Sequence, residues 1–411
     1  MRAGHRITSV DRAYLADTGR TERITGLYLD FPGEPPDLAL LRARVRSRAA
    51  HLPALHLRAP RRGNQWQSLR CDTDAHVFAA PATDDIDRAT EHLMQYPCLP
   101  PEAPMWDLWL LPAAHRRFFR LCFRAHHGLL DGVGIAHNAL ALVADQPVRG
   151  PNPHRPGSPG LAGLLHLVAK KSRLPMGNWR DLSAPSHRTG KRWCHADVPE
   201  ADLRALADRW GSTVNDVFLA AVAGTFRAWA QAQAKATLRA PTPPGDLLTT
   251  MPMSVRREGE ENLPGNRTVF SHLRLPTSTD DPAQAMRAVL RQTRWMSHSN
   301  YRDNAQVLYS TPPTSRLVGR RLRQTWEDTP LIVSHVRLPS PFHCFGSPVT
   351  AAARLPVLGP GVHCYVGLTR VASTARLAIV HNGGLPGAQD LPALWTRCLA
   401  DLRAAEPDAV T

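Results

Sequence analysis

The sequence predicts an α/β protein with two lobes, and three observations support this prediction. Strand-like and helix-like segments alternate in both halves of the chain, which is typical of sheets covered by helices. The chain has 411 residues, more than the roughly 250–300 at which a single hydrophobic core stops growing. A stretch dense in proline and glycine, Gln146 to Gly160, interrupts the pattern. We therefore expect an N-terminal lobe over residues 1–170, a linker over 171–192 and a C-terminal lobe over 193–411.

Apolar periodicity predicts the elements of the first lobe. Alternating apolar residues indicate strands, and apolar residues three or four apart indicate helices. The predicted elements are a strand over 24–31, a helix over 37–49, a helical segment near 86–96 and a strand over 105–111.

The segment from Arg116 to Val143 is the most informative part of the sequence. Its apolar residues alternate from Phe119 to Ala125, so they share one face of a strand. His127 falls on the same face if the strand pairing continues. Asp131 then stands just before apolar residues at helical spacing, where a helix N-cap is expected. The turn from His126 to Asp131 therefore brings the positive end of a helix close to two histidines.

The same patterns predict the second lobe. Thr213 precedes a long apolar helix, and Asp216 follows three residues later in capping-box register. The other predicted elements are strands over 192–198, 247–252 and 268–275, helices over 200–210 and 282–296, strand-like runs over 331–336, 364–368 and 377–380, and a C-terminal helix with an apolar stripe over 391–402.

The charge of the chain suggests an acidic partner. Lysine and arginine number 50 against 35 aspartates and glutamates, a net charge of +15. Nucleic acid, an anionic membrane and an acidic carrier protein all fit this sign. The arginines are scattered along the chain, and neither zinc-finger spacing nor an aromatic-interleaved RNA motif accompanies them, which argues against nucleic acid. A solvated basic surface is the simplest interpretation.

Cysteine usage and the N-terminus indicate the compartment. The seven cysteines are widely spaced, and no CxxC pair suggests zinc or redox chemistry. We interpret them as reduced thiols. The first residues lack the apolar core of a signal peptide, and no run approaches the roughly 18 apolar residues of a membrane span. We expect a cytoplasmic protein that is at most peripheral to a membrane.

The turn His126-His127-Gly128-Leu129-Leu130-Asp131-Gly132 carries candidate chemistry with three interpretations. Adjacent histidines and a carboxylate can bind a metal, although neighbouring side chains diverge on a turn and no further ligand cluster is evident. A histidine pair satisfied inside a core is the structural alternative. A neutral imidazole can also act as a general base near pH 7. The local sequence leaves these alternatives open.

Several motifs in this order resemble the bacterial wax ester synthase/diacylglycerol acyltransferase family. This family belongs to the CoA-dependent acyltransferase superfamily, with chloramphenicol acetyltransferase and the condensation domains of nonribosomal peptide synthetases. HHGLLDG matches the superfamily signature HHxxxDG. The other matching segments are Ser9-Val10-Asp11, Met105-Trp106-Asp107 in the slot of the PLWE segment, Thr213 to Asp216 with Ala220 to Gly224, Pro252 to Arg256 in the slot of PVSVR, and Gly265-Asn266-Arg267.

The resemblance implies two chloramphenicol-acetyltransferase-like lobes, each a mixed sheet flanked by helices, with an active-site tunnel between them. His127 matches the catalytic base, with His126 beside it. The resemblance makes Asp131 structural and pairs it with Arg256, and the Gly132 N–H is a candidate oxyanion donor. The other candidates for the tunnel are Trp106, Asp107, Asn215, Asp216, Ser254, Asn266 and Ser334.

The resemblance also implies direct acyl transfer from a thioester donor to a hydroxyl or amine acceptor. No covalent acyl-enzyme is required, since no GxSxG elbow is present. No cofactor is expected beyond CoA or a phosphopantetheine arm that carries the acyl group. A noncatalytic member that binds a carrier protein or a lipid is the alternative.

Two departures from the family pattern broaden the expected substrates. The arginine that commonly precedes the PLWE segment is missing before Met105, and the NVPGP-like site has the sequence Ser334 to Pro339. Lipid ester synthesis and natural-product ester or amide formation are therefore both expected. The basic surface suits an acidic acyl carrier protein as the donor.

Overall fold

Two mixed β-sheets with flanking helices form the two lobes of the molecule, in agreement with the predicted fold class. The structure is a computed structural model. It describes residues 5–15, 23–60, 62–69, 71–96, 103–148, 150–151, 153–160, 163, 179, 182, 190–236, 245–310, 329–359 and 362–407.

The first half of the chain builds one sheet and the helices that cover it. Its elements are α1 (Ser9–Leu15), β1 (Ile24–Pro32), α2 (Leu38–Ala49), β2 (Val77–Ala79), α3 (Ile86–Leu93), β3 (Trp106–Pro112), β4 (Phe118–His126) and α4 (Gly132–Val143). Short 3-10 helices lie at Pro53–His56 and Thr73–His76, and a two-stranded ribbon pairs Leu57–Arg58 with Gln67–Ser68.

Local sequence signals set the ends of these helices. The Asp37 side chain caps α2 by accepting from the N–H groups of Ala39 and Leu40. The predicted α2 stripe, which includes Leu41 and Val45, is buried in the first-lobe core. The strand β4 carries its predicted apolar face, Phe119 to Ala125, into the same core.

The second half of the chain builds a six-stranded sheet and contributes one further strand, β9, to the first sheet. The elements of this half are β5 (Arg192–Pro199), α5 (Glu200–Arg209), α6 (Val214–Ala236), β6 (Leu247–Ser254), β7 (Thr268–Leu275), α7 (Pro282–His298), α8 (Tyr301–Ser310), β8 (Leu331–Arg337), β9 (Ala351–Leu355), β10 (Cys364–Val371), β11 (Thr374–His381) and α9 (Leu391–Ala404). A 3-10 helix spans Ala388–Asp390, and a ribbon pairs His343–Cys344 with Ser347–Pro348. The sheet order is β5-β11-β10-β8-β6-β7.

Strand β9 corrects the predicted lobe boundary. The prediction assigned all of residues 193–411 to the second lobe, but Ala351–Leu355 pairs antiparallel with β1. The first sheet therefore has the order β9-β1-β4-β3-β2. The physical reason is that β1 offers an unpaired edge, and β9 satisfies its backbone hydrogen bonds. Of the predicted linker over 171–192, only Trp179, Leu182 and residues 190–192 are among the described residues.

Buried charges connect the two lobes away from the histidine turn. Asp30 of β1 accepts from Arg120 Nε at 2.6 Å and from Arg376 Nη1 of β11 at 2.6 Å. Arg376 also binds Asp197 of β5 through Nη2 at 2.6 Å. A buried carboxylate needs such cations. This network adds a tie between the lobes that the sequence did not predict.

Among the described residues, no helix has the length and apolar character that crossing a membrane requires.

Candidate active site

The histidine turn joins the end of β4 to the start of α4. The strand ends at His126, and the His127 N–H donates to the carbonyl of Arg23 at 2.7 Å. Asp131 is the N-cap of α4, as predicted, because its Oδ1 accepts from the Gly134 N–H at 2.8 Å. The positive end of α4 is therefore separated from His127 only by the short turn of residues 128–131.

Asp131 and Arg256 form the predicted pair across the two lobes. Arg256 Nε donates to both carboxylate oxygens of Asp131, at 3.0 and 3.1 Å. The other Arg256 nitrogens donate to the carbonyls of Glu260, Leu263 and Gly265. Arg256 thus fixes its own loop as well as the helix cap.

The charge of Asp131 is strongly stabilised in this position. Burial alone would raise its pKa, but Arg256 and the N–H groups of Gly134 and Arg267 outweigh burial and lower the pKa to about 2. Arg267 N–H donates to Asp131 Oδ2 at 2.8 Å. Asp131 is therefore ionised at neutral pH and has no proton to exchange with a substrate. Its observed contacts are those of a brace.

A second set of hydrogen bonds holds the backbone at His127. The Asn266 side chain donates from Nδ2 to the His127 carbonyl at 2.8 Å and to Asp11 Oδ1 at 2.9 Å. The Asn266 N–H also donates to Asp11 Oδ1, at 2.7 Å. Asp11 belongs to α1 and is fully buried. Both sides of the histidine turn are therefore held by bonds between the lobes.

A cavity of about 830 Å³ opens beside this turn. Residues of both lobes line it, including His127 and Gly132 from the first and Ser334 from the second. A second cavity of about 590 Å³ adjoins it. The two share Asn215, Met251, Met253 and Arg302 as lining residues. This arrangement fits the predicted tunnel between the lobes.

His127 lies in a tightly packed environment. Its ring stacks on Tyr14, with 4.0 Å between ring centroids and 10° between ring planes. Burial lowers the pKa of His127 to about 4, and the positive charge of Arg354 acts in the same direction. The imidazole is therefore neutral at pH 7, which is the state that a general base requires.

The lowered pKa predicts the acidic limit of any His127-dependent reaction. The base is lost only when the ring is protonated, so the rate should fall as the pH drops toward 4 rather than near the ordinary value of 6.5. Initial rates between pH 4 and 8 would measure this. A rate that titrates near pH 6.5 would contradict the burial-based explanation.

Unfolding must be monitored in the same experiment. Burial lowers the pKa of His126, His127, His137, His335 and His381 to about 4 in the folded state. The unfolded chain takes up protons at about pH 6.5, before the folded protein does. The five buried, neutral histidines therefore make their full contribution to stability above pH 6.5, and this contribution is lost as the pH falls from 6.5 toward 4. Melting curves at each pH separate this loss from loss of the base.

The chain is similar in sequence to acyltransferases. The family model described as the wax ester synthase/diacylglycerol acyltransferase catalytic domain matches residues 33–178. A putative diacylglycerol O-acyltransferase of Mycobacterium tuberculosis is 26% identical over 261 residues, which cover 53% of this chain and 54% of the relative. The chain therefore spans about half the length of this curated relative.

Two solved structures share the fold over nearly the whole chain. The wax ester synthase/diacylglycerol acyltransferase from Marinobacter aquaeolei VT8 superposes with a TM-score of 0.68 at 17% identity, covering 97% of this chain and 98% of that one. The starter condensation domain of rhizomide synthetase, solved with C8-CoA and Leu-SNAC, gives a TM-score of 0.66 at 14% identity, covering 98% and 94%.

The resemblance to the wax ester synthase/diacylglycerol acyltransferase family is confirmed. In this chain the family's histidine motif lies on the wall of the cavity through His127 and Gly132. His126 is not among the residues that line it. The Nδ1 atom of His126 accepts from the Gly128 N–H at 3.1 Å, so this ring supports the turn. The described residues contain no group of three or more potential metal ligands.

The tunnel candidates taken from the family motifs divide into three groups. Asn215, Ser254 and Ser334 line the cavity beside His127. Asp216 lines the adjoining cavity and caps α6 by accepting from the Thr213 N–H at 2.9 Å. Asn266 is not among the lining residues of either cavity and contacts the histidine turn through the His127 carbonyl.

Trp106 and Asp107, predicted as tunnel residues, are not among the described residues that line either cavity. Trp106 is fully buried in the first-lobe core, stacks on His76 and donates from Nε1 to the Leu55 carbonyl at 2.9 Å. Asp107 accepts from Arg124 Nε and Nη2 at 2.8 and 2.6 Å. Both residues belong to β3, whose side chains serve the interior of the lobe on both faces.

Four further residues near the site had no assigned role in the prediction. Asp11 was part of a matching motif, and Tyr14 follows it by three residues on α1, so helical spacing was an available signal. His335 and Arg354 line the cavity from β8 and β9. Burial lowers the pKa of His335 to about 4, with Arg370 acting in the same direction. No local pattern identified Arg354, because β9 was not predicted.

Proposed function

We propose that this chain is an acyltransferase that moves an acyl group from a thioester donor to a hydroxyl or amine acceptor. The observation that carries the proposal is the position of a neutral His127 beside Gly132 on the wall of the interlobe cavity. Attack on a carbonyl is helped by a base that takes the proton of the nucleophile and by a donor that stabilises the oxyanion. His127 and the N-terminus of α4 can supply these two groups side by side.

The reaction proceeds by direct transfer. The donor and the acceptor occupy the cavity together, and His127 takes the proton from the acceptor as the acceptor attacks the thioester carbonyl. The Gly132 N–H stabilises the oxyanion of the tetrahedral intermediate. As the C–S bond breaks, the sulfur takes the proton from the His127 imidazolium. The products are an ester or amide and a free thiol, and the imidazole is neutral again.

The comparisons support the two substrate classes. The curated relative is named a putative diacylglycerol O-acyltransferase. The rhizomide synthetase domain was solved with a CoA thioester and an aminoacyl thioester analogue. By this analogy, the donor of the present chain is acyl-CoA or an acyl group on a carrier protein, and the net charge of +15 suits an acidic carrier.

The lining of the cavity favours a natural-product acceptor over a second long lipid chain. Polar groups share the wall with apolar side chains, among them Ser334 and His335, whose buried Nε2 has no hydrogen-bond partner among the described residues. A long apolar acceptor would leave these groups without water or partners. A compact polar acceptor would satisfy them. A noncatalytic binding role would leave the neutral base beside Gly132 without a purpose.

Product analysis tests the proposal. Purified protein is offered acyl-CoA or an acyl carrier donor together with alcohols, hydroxy acids or amines, and the products are identified by mass spectrometry. We expect an ester or amide that requires both the protein and the donor. Failure of every donor and acceptor pair, while the donors bind to the protein, would favour the noncatalytic alternative.

A further inference from the structure

The described wall of the cavity carries positive charge and no carboxylate. Arg23, Arg302, Arg337 and Arg354 line it, whereas none of the described lining residues is aspartate or glutamate. A cleft lined by charge of one sign favours a ligand of the opposite sign.

Arg354 differs from other arginines of the interior. Arg120, Arg124, Arg256, Arg370 and Arg376 each meet a carboxylate. Within the described part of the chain, Arg354 forms hydrogen bonds only to neutral groups and no ion pair, although the Asp131 carboxylate, held by Arg256, is near enough to act on it. Its Nε donates to the Gly26 carbonyl and its Nη2 donates to Thr25 Oγ1, both at 3.3 Å. These bonds hold the guanidinium in place without neutralising it.

The guanidinium lies at the reaction centre. A Cβ atom on Gly132 would collide with it, so the two are in close contact. Its charge also contributes to the low pKa of His127. Burial lowers the pKa of Arg354, and Tyr365, which lines the same cavity, and the Asp131 carboxylate act in the opposite direction without a hydrogen bond to the guanidinium. The base, the helix N-terminus and a cation with no direct carboxylate partner therefore converge on one part of the wall.

A half-buried cation with no direct carboxylate partner is costly, and an anionic ligand that pairs with it would lower that cost. The phosphates of CoA or of a phosphopantetheine arm are separated from the thioester carbon by the length of the arm. They cannot contact Arg354 while that carbon is beside His127. The anion must therefore belong to the part of a substrate that is close to the reacting atom.

We propose that Arg354 binds a carboxylate of the acceptor, so that the preferred acceptor is a small hydroxy or amino acid. This inference rests on the proposed function and specifies its acceptor. The carboxylate pairs with Arg354 while the hydroxyl or amine, a few bonds away, donates its proton to His127. Pairing neutralises Arg354 and weakens one cause of the lowered pKa of His127. The base is then stronger when the matching acceptor is bound.

Matched acceptors test the proposal. Each hydroxy acid is compared with its methyl ester, using one acyl-CoA donor, in the wild type and in Arg354→Gln. Because hydrogen bonds to a charged group stabilise a complex more than hydrogen bonds between neutral groups, we expect the wild type to prefer the acid by roughly 10–100-fold in kcat/KM. In Arg354→Gln the KM for the acid should rise by the same factor, while the ester should keep its KM. Arg354→Lys should restore part of the preference.

Two controls separate this effect from others. Arg337 is an exposed arginine at the same cavity, and Arg337→Gln removes its charge. This substitution should change kcat/KM for the acid and for the ester by the same small factor. Thermal melting checks the fold of Arg354→Gln, which should melt at or above the wild-type temperature because a half-buried cation with no direct carboxylate partner has been removed.

Other outcomes would overturn the inference. An equal fall in kcat for acid and ester in Arg354→Gln would make Arg354 an oxyanion stabiliser. A rise only in the KM of the donor would assign it to the donor. If no acceptor reacts, the proposed function fails, and calorimetric binding of the hydroxy acids still tests Arg354. Binding of the acid but not of the ester, lost in Arg354→Gln, would support the site, and equal or absent binding would exclude it.

Discussion

Replacing His127 with alanine should lower kcat/KM for acyl transfer by roughly 10²–10⁴-fold, the usual contribution of a positioned general base. The alanine leaves the acceptor in the cavity with no group to take its proton. The fold should survive, because the histidine turn keeps its backbone bonds to Arg23 and Asn266. Initial rates and melting curves of the same preparation would measure both effects.

His126→Ala is the matched control for this substitution. It removes a neighbouring imidazole whose pKa is also lowered to about 4, first by burial and then by His127 and Arg23. This ring supports the turn and does not line the cavity, so we expect a clearly smaller loss of rate. A His127→Ala variant with the wild-type rate, or equal losses in both variants, would contradict the role of His127 as base.

Replacing Asp131 with alanine should cost about 3–5 kcal/mol of unfolding free energy, the usual effect of removing one partner of a buried ion pair. Asp131 and Arg256 are each 1% exposed, so water cannot replace the missing carboxylate. The N-cap of α4 is lost at the same time. Activity should fall as well, because the cap positions Gly132 beside the cavity. Denaturant unfolding of wild type and variant measures the loss.

Two comparisons make this prediction specific. Asp202→Ala breaks an exposed pair with Arg403, whose side chains are 49% and 61% exposed, and should cost less than about 1 kcal/mol. The double variant Asp131→Ala with Arg256→Met removes the stranded cation and should be less damaged than the sum of the two single variants. Additive losses would show that the two side chains act independently.

The sequence predicted those features that depend on local chemistry. The Asp131 N-cap, the capping box of Thr213 and Asp216, and the buried stripe of α2 each require residues only a few positions apart. Such spacings are visible without a fold. The pairing of Asp131 with Arg256 spans 125 positions and followed only from the family resemblance.

Features that depend on strand register were missed. Asp107 lies opposite Arg124 in the β3–β4 pairing, and their ion pair shows why a polar residue occurs in a buried strand. Without the register, Asp107 was assigned to the tunnel. Strand β9 has few residues with strong strand preference, and its pairing with β1 decides its conformation. Arg354 was missed with it, since its position follows from that pairing.

In the proposed reaction, the acyl group passes directly between two substrates that meet at His127. Intact-mass measurement of the protein tests it, first with an acyl thioester alone and then after an acceptor is added. We expect an unmodified protein mass at both stages and an acylated acceptor only at the second. An acyl adduct on the protein that forms with the thioester and disappears when the acceptor is added would contradict it.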